Sequence, residues 1–506
     1  MDTNQRVIEL TTAGPMKLSA ALEEKGVSFP MPCGGNGRCG KCAVQFLAGA
    51  PEAGGADRAR FSEEELRNGW RLGCRAEVCG TCRVRVLQAR QELEILSSFG
   101  VKEKTDSHAS GEKGLGIGID IGTTTIAMSL LDLASGVTVK THTRSNPQRS
   151  FGADVLTRIQ RANEGKAGVL SHSIREALGQ GVEVLLRDIP EEQQVIPVAI
   201  AGNTAMLHLL LGYSCETLGR APFTPVDLSL IEREISDGQR NFQVTVFPGI
   251  SAFVGADIVS GIYALRMTEQ KRPVLLLDLG TNGEMALWSG EKLYVTSTAA
   301  GPAFEGGNVK HGVPGIPGAI SDVFADRGRI RVETIENAAP SGICGTGVIS
   351  AIRTLRELGV LDETGTLAEP YLDEGYPLWI QSQRNQIRLY QEDIREIQMA
   401  KAAVHSGMEL LLQETGTAPE QLEKIYLAGG MGYALKPEDA AEIGLIPREA
   451  APRCEAVGNS ALGGTLAYLR HPRKERLQEI VGKAEVISLA NHPDFEELYL
   501  RYMNLD

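Results

Sequence analysis

Residues 115–125 read Leu-Gly-Ile-Gly-Ile-Asp-Ile-Gly-Thr-Thr-Thr, and residues 274–283 read Val-Leu-Leu-Leu-Asp-Leu-Gly-Thr-Asn-Gly. Each stretch is an apolar run that ends in Asp-x-Gly-Thr, which is the pattern of a buried strand followed by a tight loop. In both places a second strand-like segment, a glycine turn and a third segment follow. A single Asp-Gly pair is usually only a turn, whereas two copies in matching strand contexts predict two equivalent β-hairpin units.

The loops of these two units carry the residue types that a phosphate site needs. Glycine lets backbone amides approach phosphate oxygens, threonine adds a hydroxyl donor, and aspartate holds Mg²⁺ through water. The residues that we expect to bind nucleotide and magnesium are Asp120, Gly122, Thr123 and Thr124 in the first loop, and Asp278, Gly280, Thr281 and Asn282 in the second. Two such hairpins that face each other would clamp a polyphosphate from both sides.

Two further glycine-rich segments are candidates for the same site. The first, Ile-Tyr-Leu-Ala-Gly-Gly-Met-Gly, ends a predicted buried strand and suits the close approach of a base and ribose. The second opens a predicted helix, whose first amides could bind the nucleotide; a tight turn that feeds a packed helix is an equally good interpretation. The residues concerned are Gly429, Gly430 and Met431 in the first segment, and Gly345 and Thr346 in the second.

This set of motifs, in this order, resembles the actin-like ATPase superfamily, which includes the acetate and sugar kinases, the heat-shock chaperones and actin. The resemblance covers residues 115–470. It implies an α/β fold of two subdomains, which we expect at residues 115–268 and 269–506, the second with a C-terminal tail. It also implies that ATP and Mg²⁺ bind in the cleft between the subdomains, which close around the nucleotide.

A catalytic carboxylate is expected close to the two loops. The segment Gly255-Ala-Asp257 precedes the second unit and resembles the catalytic aspartate segment of the type III pantothenate kinases, which belong to the same superfamily. That resemblance implies that Asp257 orients the attacking water, and Asp154 and Glu305 are the alternatives. Each of these three carboxylates could instead cap a helix.

Six of the nine cysteines lie between residues 33 and 82. In a chain without a visible secretion signal, such clustering favours metal binding over a disulfide framework. Cys33, Cys39 and Cys42 have the spacing C-x5-C-x2-C, and Cys74 follows as a fourth thiolate, so these four side chains can hold a 2Fe-2S cluster. Structural zinc is the alternative, although zinc sites usually present two C-x2-C pairs.

A second cysteine triplet competes with the first. Cys74, Cys79 and Cys82 also have a plant-type spacing, but six cysteines cannot complete two clusters of four thiolates. We expect Cys79 and Cys82 to be spare thiols at the start of a strand, and Cys74 is the least certain of the four ligands.

Residues 1–95 resemble the 2Fe-2S ferredoxin domain, a β-grasp fold, and the charged, aperiodic residues 96–114 are expected to form a flexible linker. The resemblance is specific around the first cysteine triplet. Before it, Arg6–Leu10 leaves room for one strand where the β-grasp fold usually opens with a hairpin.

The composition excludes several classes of protein. The chain of 506 residues carries a formal net charge of −13, which argues against nucleic acid or an anionic membrane as the main partner. No segment reaches the ~20 uninterrupted apolar residues of a membrane helix, and no basic region followed by an apolar core opens the sequence. We therefore expect a cytoplasmic protein.

Over nearly its full length the chain resembles the reductive activators of corrinoid proteins, which include the activating enzymes of anaerobic methyltransferase and O-demethylase systems. The segments that carry this resemblance are the loop Cys33–Cys42, Asn146-Pro-Gln, Phe151-Gly-Ala-Asp-Val, Ala201-Gly-Asn-Thr, Gly301-Pro-Ala-Phe-Glu-Gly and the tail Phe495–Tyr499. The resemblance implies ATP-dependent reduction of cob(II)alamin to cob(I)alamin on a partner corrinoid protein, the cobalamin-binding component of a methyltransferase. The electron would come from an external low-potential donor and pass through the cluster, and the resemblance is compatible with a homodimer.

Two other functions remain open at the level of sequence. A small-molecule kinase with a redox-regulatory ferredoxin domain would need a pocket for its phosphate acceptor. A redox-sensing binding module would hydrolyse no ATP and would not depend on Asp120 or Asp278. Neither function explains why a ferredoxin-like segment and an ATPase-like segment share one chain.

Overall fold

The computed structural model describes residues 5–23, 42–87, 114–152, 154–187, 189, 195–236, 238, 240–382, 385–432 and 434–505. The described part is built around a small four-stranded sheet and two six-stranded sheets, in that order along the chain. Cys33 and Cys39, and most of the predicted linker, lie outside the described residues.

The N-terminal part is an antiparallel sheet against which a short helix packs. Its elements are β1 (Gln5–Lys17), α1 (Leu18–Glu23), β2 (Ala43–Ala48), α2 (Gly55–Arg60), α3 (Glu63–Arg67), β3 (Trp70–Leu72) and β4 (Glu77–Leu87). The strand order is β1-β4-β2-β3, and every neighbouring pair is antiparallel. The prediction that one strand opens this part is confirmed, although that strand runs well beyond Arg6–Leu10. Leu10, Leu18 and Val84 are among the buried residues of its core.

The first of the two larger sheets begins with the hairpin unit predicted at residue 115. Its elements are β5 (Leu115–Ile121), β6 (Thr125–Asp132), β7 (Thr138–Ser145), α4 (Val155–Arg161), α5 (Ala167–Leu186), β8 (Val195–Gly202), α6 (Thr204–Leu211), β9 (Ile231–Ser236), β10 (Asn241–Val246) and α7 (Ala256–Ala264). The sheet order is β7-β6-β5-β8-β10-β9. Strand β5 pairs antiparallel with β6 on one edge and parallel with β8 on the other, so it is central in the sheet, and most of its residues are buried.

The second larger sheet repeats this arrangement. Its part of the chain contains β11 (Val274–Leu279), β12 (Gly283–Trp288), β13 (Leu293–Thr298), β14 (Ala319–Asp326), β15 (Arg329–Thr334), β16 (Gly342–Ile343), α8 (Gly345–Glu357), α9 (Tyr371–Glu374), β17 (Tyr376–Ser382), β18 (Asn385–Leu389), α10 (Gln391–Thr415), β19 (Lys424–Ala428), α11 (Gly429–Gly432), α12 (Pro437–Glu442), β20 (Cys454–Gly458), α13 (Ser460–Arg470), α14 (Lys474–Lys483), β21 (Ala484–Val486) and α15 (Phe495–Arg501). The sheet order is β20-β19-β11-β12-β13-β21, and β11 pairs antiparallel with β12 and parallel with β19. Strands β5 and β11 therefore hold equivalent places, as the repeated sequence predicts.

Helices α7 and α13 pack closely against each other in a core that includes residues of both sheets. A side chain at Gly464 would overlap the carbonyl oxygen of Ser260, so the two helices approach closely only because glycine is there. One buried cluster contains Ile119 of the first sheet and Leu276 of the second. The two sheets are thus joined through a continuous apolar core.

The late helix α13 also packs against the first sheet. A Cβ at Gly118 of β5 would lie 2.7 Å from Oγ1 of Thr465, and one at Gly116 would lie 3.4 Å from Leu469. The alternating glycines of the opening sequence are therefore the face on which α13 lies, while Ile117 and Ile119 are buried in the core. The boundary between residues 268 and 269 stays a prediction. Helix α13 follows this boundary in the chain and nevertheless packs against the first sheet.

Candidate functional site

The first phosphate loop, Gly122–Thr125, is supported through its carbonyl groups. The carbonyl oxygens of Gly122 and Thr124 accept hydrogen bonds from the side chain and backbone amide of Asn146, both at 2.9 Å. The carbonyl oxygen of Thr123 accepts one from the buried guanidinium of Arg158 at 2.6 Å. In a trans peptide the C=O and the next N–H point in opposite directions. The amides of Thr123 and Thr124 are therefore turned away from this support and are free to face an anion.

The second loop is also closed by a backbone hydrogen bond from its glycine, but it is one residue shorter. The amide of Gly280 donates to the carbonyl oxygen of Asn282, two residues on, at 3.0 Å, whereas the amide of Gly122 donates to that of Thr125, three residues on, at 2.9 Å. The side-chain amide of Asn282 donates to Oε1 of Glu284 at 3.0 Å, which holds this part of the loop against β12. The two loops thus differ by one residue in length and also have different side-chain supports.

A single carboxylate joins the two loops. Thr124 of the first loop donates its hydroxyl hydrogen to Oε2 of Glu305 at 3.0 Å, and Thr281 of the second loop donates to the same oxygen at 3.3 Å. Glu305 ends the short 3-10 turn Pro302–Glu305. The structure therefore brings together residues that lie far apart in sequence, and Glu305 lies between the two predicted phosphate loops.

Four more carboxylates line this cleft, and they influence one another. Burial, together with the charge of Asp257, raises the pKa of Asp120 to about 7. Burial and the charges of Asp257, Asp120 and Glu305 raise the pKa of Asp278 to about 8. Burial also raises the pKa of Asp257 to about 6, and burial with the charges of Asp257 and Asp278 raises that of Glu284 well above its usual range. The charged forms of these carboxylates are therefore unfavourable together, and a bound cation would stabilise them.

The chemistry of these donors fits magnesium held through water. Asp120 and Asp278 offer only oxygen ligands, which Mg²⁺ prefers, and Mg²⁺ usually keeps several of its waters. Within the described ranges, no three His, Cys, Asp or Glu side chains are grouped closely enough to hold a metal ion directly. The nearby side-chain amide of Asn459 donates to Oδ2 of Asp120 at 2.8 Å and fixes the orientation of that carboxylate.

Gly429 lies directly beside Asp278. Its φ of +89° is in the left-handed region, and a Cβ there would lie 2.6 Å from the carbonyl oxygen of Leu279 and 2.8 Å from Oδ1 of Asp278. Glycine is therefore required both by the backbone and by the space. The next two residues differ from it, because Gly430 has open space around it and Met431 is buried in the second core.

We expect a Gly429→Ala variant to be destabilised by about 1–3 kcal/mol and to bind Mg-ATP more weakly. The new methyl group would force a strained backbone and displace the Asp278 carboxylate. Gly482→Ala is the control, because Gly482 is not one of the predicted nucleotide-binding residues and a Cβ there meets no atom within 4 Å. Chemical denaturation and nucleotide titration of both variants check this, and equal behaviour of the two would contradict it.

The three catalytic candidates have different surroundings. Asp257 lies in the first turn of α7, and its charge acts on Asp120, Asp278 and Glu284 in the cleft. Asp154 is the N-cap of α4, where both its carboxylate oxygens accept hydrogen bonds from Thr157, from the backbone amide and from the hydroxyl, each at 2.8 Å. Asp257 and Glu305 are thus placed with the loops, whereas the contacts of Asp154 are those of a helix cap.

Gly345 and Thr346 have packing contacts at the start of α8. A side chain at Gly345 would overlap the carbonyl oxygen of Phe304, so α8 begins directly against the turn that carries Glu305. The hydroxyl of Thr346 donates to the carbonyl oxygen of Ser321 at 3.2 Å. A role of these two residues in nucleotide binding stays a prediction.

Two of the four predicted cluster ligands face each other. The sulfur atoms of Cys42 and Cys74 lie 3.1 Å apart, and both residues are buried. Strand pairing explains this, because Ala43 of β2 lies opposite Leu72 of β3, and the carbonyl oxygen of Cys42 accepts the amide of Gly73 at 2.8 Å. Two adjacent thiols that form no disulfide are the donor chemistry that an iron–sulfur cluster needs.

The spare cysteines are placed differently. Both lie within β4, where Cys79 is exposed and Cys82 is buried in the small apolar core. Burial raises the pKa of the Cys82 thiol, which disfavours the thiolate that would bind metal. These positions support the choice of Cys74 as the fourth ligand, which stays a prediction.

The sequence patterns did not single out five side chains at the site: Asn146, Arg149, Arg158, Glu284 and Asn459. Glu284 had a signal, since it is the lone charge in the otherwise apolar strand Gly283–Trp288. Asn459 also had one, as a capping residue before an apolar helix. Arg158 had none, because nothing in its neighbourhood distinguishes it from a surface arginine of a helix.

None of the helices that the structure describes is long and apolar enough to span a membrane.

Three family models match the chain in succession. The model described as a 2Fe-2S iron-sulfur cluster binding domain matches residues 2–76, and the RACo middle region matches residues 115–270. The C-terminal domain of RACo, described as the ASKHA domain, matches residues 272–506. These matches confirm the predicted fold, a 2Fe-2S domain followed by an actin-like ATPase, and the predicted cofactors, a 2Fe-2S cluster and ATP with Mg²⁺.

Two relatives align with most of the chain. It is 31% identical over 414 residues to the corrinoid activation enzyme RamQ of Eubacterium limosum, which covers 76% of this chain and 69% of that one. It is 27% identical over 430 residues to the Co(II) methylated amine-specific corrinoid protein reductase of Methanosarcina barkeri, with 76% of each chain covered. A solved structure, a reductive activator for corrinoid, iron-sulfur protein, has the same fold, with a TM-score of 0.70 at 24% identity over 97% of this chain and 95% of that one. The chain therefore belongs to the family of the corrinoid activation enzymes.

Proposed function

We propose that this chain activates a partner corrinoid protein by reducing its cobalt, in an ATP-dependent reaction that converts cob(II)alamin into cob(I)alamin. One electron enters from an external low-potential donor and is gained by cobalt, so the reaction balances without a further reactant. The observation that carries the proposal is that one chain joins the paired thiols of Cys42 and Cys74 to a cleft in which two phosphate loops converge on Glu305.

The phosphate groups of ATP would be held by the two loops. The amides of Thr123 and Thr124 are turned outwards by Asn146 and Arg158, so they need no rearrangement before they meet an anion. Preorganised donors of this kind are the usual way in which proteins stabilise a polyphosphate. We place the phosphates between the two loops, where Thr124 and Thr281 come together at Glu305.

The carboxylates of the cleft would handle magnesium and water. Asp120 and Asp278 would hold Mg²⁺ through its water ligands, and Asn459 keeps Asp120 oriented for that task. Asp257 would orient the water that attacks the terminal phosphate, because its charge acts on Asp120 and Asp278. Bound Mg²⁺ supplies the positive charge that these carboxylates lack among themselves.

The thiols of Cys33, Cys39, Cys42 and Cys74 would hold the 2Fe-2S cluster, which when bound supplies a one-electron carrier. Plant-type centres of this kind have reduction potentials of about −400 mV, so an acceptor of still lower potential is reduced only if free energy is supplied. ATP bound in the cleft of the same chain would supply that free energy.

The identity of the electron donor and the homodimer stay predictions. A cytoplasmic location is also proposed, because thiolate ligands are kept reduced in that compartment.

The kinase alternative would need a binding pocket for a phosphate acceptor beside the cleft. The two relatives that align with most of this chain are named as a corrinoid activation enzyme and a corrinoid protein reductase, and neither is a kinase. This favours the activator over the kinase.

An anaerobic assay tests the proposed function. The purified holoprotein, a chemical reductant and a corrinoid protein in the cob(II)alamin state are mixed, and the cobalt absorbance is followed with Mg-ATP, with Mg-ADP and without nucleotide. We expect cob(I)alamin to form only with Mg-ATP. Consumption of ATP while the cobalt of cognate partners stays unchanged would favour the kinase instead.

A further inference from the structure

Glu305 has the contacts of a bound anion. One of its oxygens accepts hydrogen bonds from Thr124 and Thr281, which belong to opposite phosphate loops, at 3.0 and 3.3 Å. The other oxygen, Oε1, lies 3.6 Å from where a Cβ of Gly280 would be, so the carboxylate lies against the second loop's backbone. A carboxylate is therefore seated where the two loops come closest.

Charges around Glu305 support the same interpretation. Burial raises the pKa of Glu305, while the hydroxyl groups of Thr124 and Thr281 and the positive charge of Arg149 favour its charged form. Hydroxyl donors from both loops and a nearby arginine are the groups that would bind a phosphate oxygen. Glu305 is thus bound by a set of groups that suits the terminal phosphate of a nucleotide.

A phosphate and the Glu305 carboxylate cannot accept hydrogen bonds from the same threonine hydroxyl groups at the same time. A threonine hydroxyl has one hydrogen, so Thr124 and Thr281 can each donate to Glu305 or to a phosphate but not to both. Two anions at contact distance in a cleft of low dielectric also repel each other strongly. Binding of a polyphosphate between the loops would therefore require the Glu305 side chain to leave.

The turn that carries Glu305 contacts helices α8 and α10, so its movement would displace them. It is flanked by Gly301 and Gly306, whose φ values are +77° and +73°, and it packs directly against the start of α8 at Gly345. The turn also contacts α10. A displacement of Glu305 would thus be passed to two long helices of the second half.

We propose that Glu305 is an internal anion that occupies the phosphate donors of the nucleotide-free chain and is displaced by the terminal phosphate of ATP. Its release breaks the hydrogen bonds that join the two loops and moves the turn against α8. Glu305 thereby converts the presence of ATP into a movement of the second half. This inference rests on the proposed ATP site and goes beyond it, because it assigns Glu305 a role opposed to phosphate binding.

Titration of the holoprotein with Mg-ATP and with adenosine tests the proposal. A Glu305→Gln variant loses the negative charge, so it should bind Mg-ATP about tenfold more tightly or better, while adenosine, which has no phosphate, should bind as before. Glu420→Gln is the matched control, because Glu420 is exposed in a surface turn. Unchanged or weaker binding of Mg-ATP by a folded Glu305→Gln variant would overturn the proposal.

A second measurement uses the unmodified chain and does not depend on the folding of a variant. Hydrogen exchange of the amides in residues 301–306 should become faster on addition of Mg-ATP, because the Glu305 side chain no longer anchors this turn to the two loops, and it should stay unchanged with adenosine. Exchange that is the same in all three states would also overturn the proposal. If the unmodified chain binds no Mg-ATP at all, the proposed function fails before the role of Glu305 is reached.

Discussion

A Cys42→Ser variant is expected to lose its 2Fe-2S cluster and all ATP-dependent reduction of the partner's cobalt, while it still binds Mg-ATP. The sulfur of Cys42 lies 3.1 Å from that of Cys74 at the end of the β2–β3 pair, so removal of one thiol breaks the predicted ligand set. The nucleotide cleft is built entirely from residues after 114 and has no contact with this pair of thiols among its described hydrogen bonds. Iron and sulfide content, visible absorption and nucleotide titration measure the two properties separately.

Cys79→Ser is the matched control for this variant. Cys79 lies on the exposed side of β4, so its replacement should leave the cluster and the reduction rate unchanged. The same pair of variants decides between the two cysteine triplets that the sequence offers. Loss of the cluster in Cys79→Ser, with retention in Cys42→Ser, would contradict the assignment of Cys33, Cys39, Cys42 and Cys74.

An Asp278→Asn variant is expected to lose at least about 100-fold in the rate of ATP-dependent cobalt reduction, because the charge that would hold the hydrated Mg²⁺ is removed. The amide has the shape of the carboxylate, so the turn beside Gly429 should be preserved. Cluster content should not change. Cobalt absorbance and Mg-ATP titration under anaerobic conditions measure the loss.

The stability of the same variant provides an independent check. Burial and three neighbouring carboxylates raise the pKa of Asp278 to about 8, so its charged form is unfavourable in the nucleotide-free chain at neutral pH. Asp278→Asn should therefore be as stable as the unmodified protein or more stable in chemical denaturation, although it is inactive. Asp373→Asn, at an exposed position of α9, is the control and should change neither property. Loss of stability together with loss of activity would indicate a structural role for Asp278 instead.

Local patterns in the sequence predicted much of this architecture. The repeated strand followed by Asp-x-Gly-Thr predicted both hairpin units, because strand alternation and glycine turns depend on neighbouring residues only. The glycines at 116 and 118 had a further role that the sequence did not reveal. They form the surface on which α13 packs, and that helix comes from the far end of the chain.

The site was predictable in part, for the same reason. The loop residues carry recognisable motifs, whereas the hydrogen bonds of Glu305 to Thr124 and Thr281 join three segments that are distant in sequence. The motifs also could not separate Asp257 from Asp154, since an aspartate after Gly-Ala can serve a cleft or cap a helix. Their contacts in the structure do differ, because both oxygens of Asp154 are bonded to Thr157.

In the proposed reaction, ATP drives an electron from the 2Fe-2S domain of this chain to the cobalt of a partner protein. Both centres can be followed in one anaerobic reaction that starts from the reduced holoprotein and a corrinoid protein in the cob(II)alamin state, without added reductant. After Mg-ATP is added, we expect cob(I)alamin to appear and the cluster to be oxidised at the same rate, with one electron lost for each cobalt reduced, and we expect neither change with Mg-ADP. Reduction of cobalt at the same rate without nucleotide, or hydrolysis of ATP while both centres keep their oxidation states, would contradict the proposed reaction.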